Sequence, residues 1–241
     1  MTPNLRTLHA VTEATWPPAT RHAIGPVTIR AGAGGGKRVS AATVSGAVTE
    51  SDLDRTEAAM RDLGQVPLFM VRAGEGALDA MLEARGYAMI DPVTIRVAPV
   101  AALTGETPPR VTTFTIWEPL AIMREIWAEG GIGPARVAVM ERVTAPKTGL
   151  FGRLKDQPAA AGFVALYEGT AMVHALEVRP RHRRAGMGRL MMLQAAHWAE
   201  AQGARHLAVL CTQANAGANA LYAAMGFSRA GRYHYRMKEE P

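Results

Sequence analysis

Apolar and polar positions follow helical and strand rhythms that divide this chain into short, well-punctuated elements. The clearest helical run is Arg189 to Gln202, where Met191, Ala195 and Trp198 recur at i, i+4 and i+7 and are expected to be buried before Gly203 ends the helix. Apolar runs flank it, Ala171 to Arg179 before and His206 to Thr212 after, and a single crossover helix between two strands implies a parallel pair. Upstream, Val111 to Ile116 reads as a strand and Pro119 to Ala128 as a helix broken by Gly130-Gly131-Ile132-Gly133-Pro134. Ala135 to Val143 then reads as a second helix. Lys147 to Leu154, Ala160 to Tyr167 and Ala171 to Arg179 form an antiparallel set with turns at Asp156-Gln157-Pro158 and Glu168-Gly169. Downstream, Asn215, Asn219 and Tyr222 at i, i+4 and i+7 share one face of a helix that Gly226 stops before Phe227.

In the N-terminal half, Leu5, Leu8 and Val11 are spaced for a short helix ending by Trp16-Pro17-Pro18. Strands are expected at Val27 to Ala31 and Arg38 to Val44, on either side of a glycine-rich loop. A helix over Asp52 to Leu63, a strand over Pro67 to Arg72, a helix over Ala77 to Arg85 and an extended run over Tyr87 to Val97 follow. Pro99 to Pro109 is the linker candidate. Setting Gly86-Tyr87 on Gly226-Phe227 gives an offset of 226 − 86 = 140 that also lays strand on strand and helix on helix, which reads as an internal duplication. At that offset Leu82 stands for Tyr222 and Asp79 for Asn219. The expected organisation is a degenerate domain over residues 1–102, a linker over 103–110 and a catalytic domain over 111–241.

With 241 residues, 48% of them hydrophobic, the chain can bury an ordinary core. It has no apolar run long enough for a membrane span and no signal-like N-terminus, so a cytoplasmic protein without membrane partners is expected. Cys211 is the sole cysteine, which excludes an internal disulfide, and the seven histidines show no ligand spacing, so no metal is expected. The net charge of +6 favours anionic partners. Much of it is local, since Arg179, Arg181, Arg183, Arg184 and Arg189 fall within eleven positions. Interleaved aromatics or a recognition helix are missing there, which argues against nucleic acid.

That basic cluster contains Arg183-Arg184-Ala185-Gly186-Met187-Gly188, placed between the strand Ala171 to Val178 and the helix from Arg189. Glycines there let the backbone approach a ligand, and the helix start adds unpaired N–H groups and a positive dipole end, which together make a cradle for phosphate. Gly188 leaves the approach to the helix start clear of a side chain. A dinucleotide fingerprint is excluded because no glycine follows three residues after Gly188. In the Walker-like Gly32-Ala33-Gly34-Gly35-Gly36-Lys37, Ala31 stands where the first glycine should be and Arg38 where the hydroxyl should be.

The order strand, R-x-x-G-x-G opening a helix, strand, helix with N-x-x-x-x-x-x-Y, then G-F, resembles the GCN5-related N-acetyltransferase (GNAT) superfamily over about Val111 to Lys238. The resemblance implies an α/β (α+β) fold, a mixed and mostly antiparallel sheet flanked by helices, here as two tandem GNAT-like domains. It implies acetyl-CoA as cofactor, held by Leu176, Val178, Arg183, Arg184, Ala185, Gly186, Met187, Gly188, Asn215, Asn219 and Tyr222. The implied activity is acetyl transfer to a primary amine by direct attack on the thioester, with a non-catalytic coenzyme-A sensor or scaffold as the alternative. Tyr222 is the expected acid, the Val178 N–H the expected donor to the thioester oxygen, and His174 or Glu177 the expected base, with His234 a more distant one. His174 matches a catalytic histidine of the serotonin N-acetyltransferase branch, although Met172 stands where that branch has a second histidine. In a regular strand His174 and Glu177 point to opposite faces, so only a bulge would bring both toward one acceptor. The acceptor pocket is expected near Trp117, Arg124 to Arg136 and the last strands, and a monomer or homodimer is expected.

Overall fold

The computed structural model describes residues 2–238. In chain order the first elements are α1 (Leu5–Thr15), β1 (Thr20–Ile24), β2 (Val27–Ala31), α2 (Lys37–Ser40) and β3 (Thr43–Val44). Then come α3 (Glu50–Asp62), β4 (Leu68–Arg72), α4 (Gly76–Ala84) and β5 (Ala88–Pro99). The remainder is β6 (Thr113–Ile116), α5 (Ala121–Glu129), α6 (Pro134–Arg142), β7 (Lys147–Leu154), β8 (Gln157–Tyr167), β9 (Thr170–Val178), α7 (Met187–Ala201), β10 (His206–Thr212), α8 (Ala216–Ala224) and β11 (Ser228–Met237). Two compact units interleave along the chain, so neither coincides with a cut at 103–110. The first comprises the described residues up to Pro17, Ile95–Cys211 and Asn215–Ala230, and the second Pro18–Thr94, Thr212–Ala214 and the described residues from Gly231.

In the first unit the strand order is β11-β5-β10-β9-β8-β7-β6. The β9 and β10 pair is parallel, with His206 opposite Thr170 and Val209 opposite Val173, as the crossover helix requires, and the β6–β7, β7–β8 and β8–β9 pairs are antiparallel. Both hairpin turns place consecutive residues at positive φ, Lys155 and Asp156 at 49° and 60°, Glu168 and Gly169 at 47° and 71°, which matches the twist of the strands they join. Helix α7 covers one face of this sheet by burying Met187, Met191, Ala195 and Ala199, a four-residue repeat that reaches Leu150 and Val164. Trp198 is only partly buried, so Ala199 takes the place expected of it. The opposite face carries Phe163, which meets Trp16 and Trp117, and Gly149, against which Met123 of α5 packs.

The segment expected to be a linker packs along α7. Val100 and Leu103 are core residues, Thr104 Oγ1 donates to Glu200 at 2.7 Å, and Glu106 pairs with Arg189 and accepts from His197 through its carbonyl. Two buried apolar side chains contribute about 1.5 to 3 kcal/mol each, enough to hold such a segment on the helix.

In the second unit β1, β2 and β3 form a small antiparallel sheet, and β4 pairs antiparallel with β11, with Tyr233 opposite Arg72 and Met237 opposite Leu68. Sequence reading missed β1, whose residues are nearly all exposed, and extended Arg38 to Val44 where a helical turn, α2, precedes a two-residue strand. Gly36 at φ 94° reverses the chain before α2, and Gly32 is packed so closely on Ser40 that a Cβ would fall 1.9 Å from its hydroxyl.

The duplication is visible in the backbone. Helices α4 and α8 correspond at both ends, 216 − 76 and 224 − 84 each giving 140, and the starts of β5 and β11 give 228 − 88 = 140. Gly86 and Gly226 both stand at φ 81°, and Tyr87 N–H donates to the Leu82 carbonyl at 3.0 Å as Phe227 N–H does to that of Tyr222. The copies part where α3 and α7 begin. In α3 a reciprocal capping box consumes the first free N–H groups: Thr49 Oγ1 accepts from Asp52 N–H, and Asp52 accepts from Thr49 N–H. In α7 the cap is Gly186 at φ 80°, with no side chain on the helix start.

Candidate active site

Strand β9 is interrupted where the chemistry is expected. Phe163 pairs with His174 but Ala161 pairs with Glu177, so three steps on β9 face two on β8, and Ala175 bulges at φ 50°. The bulge is fixed from α5: Trp127, fully buried, donates its Nε1–H to the Ala175 carbonyl at 2.9 Å. Gly130 at the end of the same helix leaves room for Glu177, since a Cβ there would fall 2.6 Å from the Glu177 carboxyl carbon. Glu129 holds Arg179 with two bonds of 2.7 and 2.9 Å. The bulge brings His174 and Glu177 to the same side of the sheet, the condition under which both could have faced one acceptor. They do not meet there. His174 is 4% exposed, bonded through Nε2 to Thr15 Oγ1 at 2.8 Å and tilted over Trp16 with ring centroids 5.0 Å apart. The C-terminal end of α1 therefore covers it, and His174 does not line the cleft.

The cleft opens between the end of β9, the turn into α7 and the start of α8, with a volume of about 690 Å³. Its β9 wall is Leu176, Glu177 and Val178, and its floor is the turn His182 to Gly188, where Arg184 and Gly186 stand at φ 62° and 80°. Asn215, Leu221 and Tyr222 line the third side, and Gly188 faces Leu221, whose Cδ2 would lie 3.1 Å from an added Cβ. Of the expected cofactor residues, Leu176, Val178, Arg183, Arg184, Gly186, Met187, Gly188, Asn215 and Tyr222 line this cleft. Ala185 is an exposed turn residue outside the lining, and Asn219 is turned away. Asn219 Nδ2 donates to the Asn215 carbonyl at 2.9 Å, and its Oδ1 lies 3.5 Å from Arg96. The shared face failed because α8 starts at Ala216. Asn215 is its cap, with Oδ1 accepting from Ala218 N–H at 3.0 Å.

Charge in the cleft is arranged rather than merely accumulated. Arg183 donates from Nη2 to Glu177 Oε1 at 2.9 Å and from Nε to the Val178 carbonyl at 2.9 Å. Arg189, absent from the expected set, lines the cleft from the first turn of α7 and is held by Glu106, which keeps the Glu106 carboxyl below its ordinary range. Its position after the second glycine could have signalled it, whereas its carboxylate partner lies 83 residues away. Tyr222 is 7% exposed, and burial first, then the neighbouring Cys211, pushes its hydroxyl well above the usual tyrosine value, so it keeps its proton at neutral pH. The cleft thus offers an uncapped helix start, guanidinium groups, an apolar strip of Leu176, Val178 and Leu221, and one protonated phenol. Among the described residues there is no group of three or more His, Cys, Asp or Glu placed to hold a metal. No helix among them is long and apolar enough to cross a membrane.

Residues 120–227 match the sequence profile of the Acetyltransferase (GNAT) family. The chain is 25% identical over 245 residues to an uncharacterized N-acetyltransferase of Bacillus subtilis (strain 168), YobR, covering 98% of this chain and 99% of that protein. Among solved structures, a GCN5-related N-acetyltransferase from Kribbella flavida superposes with a TM-score of 0.73 at 15% identity, covering 100% of this chain and 98% of that one. A tandem GNAT protein from the clavulanic acid biosynthesis pathway gives 0.62 at 17% identity, covering 83% of this chain and 76% of that one.

Proposed function

From the match of residues 120–227 to the GNAT acetyltransferase profile and the likeness of the whole chain to an N-acetyltransferase, we propose that it transfers the acetyl group of acetyl-CoA to a primary amine by direct attack on the thioester, with no covalent enzyme intermediate. The observation that carries this reading is the single cleft in which the uncapped start of α7, the bulged end of β9 and the Tyr222 hydroxyl converge. The residues present fit such a donor: the N–H groups at Gly186 to Gly188 with Arg183, Arg184 and Arg189 suit a diphosphate, and the Leu176, Val178 and Leu221 strip suits an extended arm. When bound, acetyl-CoA supplies the activated acyl carbon.

Each remaining task falls to a residue of this chain. The Val178 main-chain N–H is the donor for charge growing on the thioester oxygen, a role whose loss typically costs about 10² to 10³ in rate. Glu177 is the base. A lysine-like amine is neutral in only about one molecule in 10³ to 10⁴ near pH 7, so a carboxylate that takes up its proton directly or through water raises the reactive fraction. Glu177 lines the cleft and His174 does not, which supports Glu177 over His174 for this role. Tyr222, kept protonated by burial, donates its O–H toward the leaving sulfur. The N-terminal copy, with its capped α3 and Leu82 in place of Tyr222, is a structural partner without a coenzyme of its own.

A panel of primary amines assayed by release of free coenzyme A tests the reading. Turnover with at least one amine is expected. Saturable coenzyme binding without thiol release across the panel would replace the transferase with a coenzyme-binding module.

A further inference from the structure

Arg183 lines the phosphate end of the cleft, yet its guanidinium is engaged elsewhere. It bonds twice on the acceptor side, to Glu177 Oε1 and to the Val178 carbonyl, each at 2.9 Å. Glu177 has little freedom to leave this contact, because its carboxyl is packed against Gly130, where even a methyl group would overlap it. The two partners differ in exposure: the Arg183 side chain is 55% exposed and that of Glu177 only 19%. Arg183 is therefore the one with room to swing, and it sits in the R-x-x-G-x-G turn that lines the same opening.

We infer that Arg183 is an exchangeable latch between the two halves of the site. Without coenzyme it neutralises Glu177 and occupies the Val178 carbonyl. A diphosphate seated at Gly186 to Gly188 draws it away and leaves Glu177 anionic toward a cationic amine. The inference rests on the acetyltransferase reading given above and adds a coupling to it: coenzyme and amine each favour the state the other needs. The exchange is feasible on magnitudes, since a pair with a solvent-exposed partner is weak and a diphosphate offers a guanidinium more charge than one carboxylate does. Arg189 cannot substitute as the latch, because Glu106 on its own side of α7 already holds it.

The test is a double-mutant cycle read by calorimetric titration with coenzyme A on the full chain, using wild type, Glu177→Gln, Arg183→Gln and the double variant. Glutamine matches glutamate in shape against Gly130, and Arg183 is exposed, so all four should melt within a few degrees of one another. Removing the competitor for Arg183 is expected to tighten coenzyme A binding about three- to tenfold in Glu177→Gln, and to change it less than about twofold when Arg183 is already glutamine. The latch is overturned if Glu177→Gln leaves affinity unchanged or weaker, or if the gain persists without Arg183. A wild-type protein that gives no binding at all fails differently: it removes the coenzyme reading itself and the latch with it.

Discussion

At Tyr222 two demands meet. Its ring packs against Phe227, with centroids 5.7 Å apart, while the residue also lines the cleft. Tyr222→Phe keeps the ring and removes only the donor, so kcat should fall about 10²-fold or more with coenzyme affinity changed less than about twofold, as seen by comparing steady-state rates with titration. Its hydroxyl is raised by burial above an ordinary value near 10, so ionisation of Tyr222 should not reduce kcat anywhere below about pH 10. An alkaline fall in a kcat profile with a midpoint near 8 that disappears in Tyr222→Phe would contradict this placement. The place of the tyrosine on α8 was legible in the sequence because its spacing to Gly226 is local. The fate of Asn219 was not, because the i, i+4 reading counted Asn215 as helical when it caps the helix. The burial of His174 was not legible for a longer-range reason: the residues that cover it, Thr15 and Trp16, lie about 160 positions earlier, beyond the reach of any spacing rule.

Among the elements, the contact between α5 and the β9 bulge does most to shape the site. A bulged carbonyl has lost its ladder partner, and Trp127 supplies the replacement donor. Trp127→Phe should destabilise the protein by about 1 to 3 kcal/mol in a denaturant titration, and should lower kcat more than coenzyme affinity because Glu177 loses its fixed direction. Equal losses in both would mean that the bulge only holds the core. The sequence showed the helix, the glycines that end it and the strand, since each is written in local periodicity. Nothing local marks which carbonyl a tryptophan will reach 48 residues on. The capped helix α3 carries its own prediction. Thr49→Ala removes half of the capping box and should cost about 1 kcal/mol of stability, leaving acetyl transfer unchanged.

For the molecule as a whole, the two similar helix–glycine–strand endings follow different helix starts: α3 is closed by its own capping box, while α7 has no side-chain cap. Repetition was legible because glycine turns and aromatic anchors recur at a fixed offset. The interleaving of the compact units was not, because strand partners such as β4 and β11 are far apart in sequence. The second unit also sets an acid limit. Burial pulls the Glu57 carboxyl up, but hydrogen bonds from Arg85 and Arg61 outweigh it and hold it below its ordinary range. At Asp79 burial likewise pulls the carboxyl up, and hydrogen bonds from Arg236 and His234 outweigh it. Groups depressed in the folded state add stability above their unfolded values of about 4 and lose it as pH falls through the lower folded values. Melting temperature should therefore hold steady from neutral pH to about 5 and drop below about 4, less steeply in Asp79→Asn. The most direct measurement for the account is the stoichiometry of acetyl-CoA by calorimetric titration of the intact chain. One saturable site per chain is the predicted result, and either two sites or no heat of binding would contradict it.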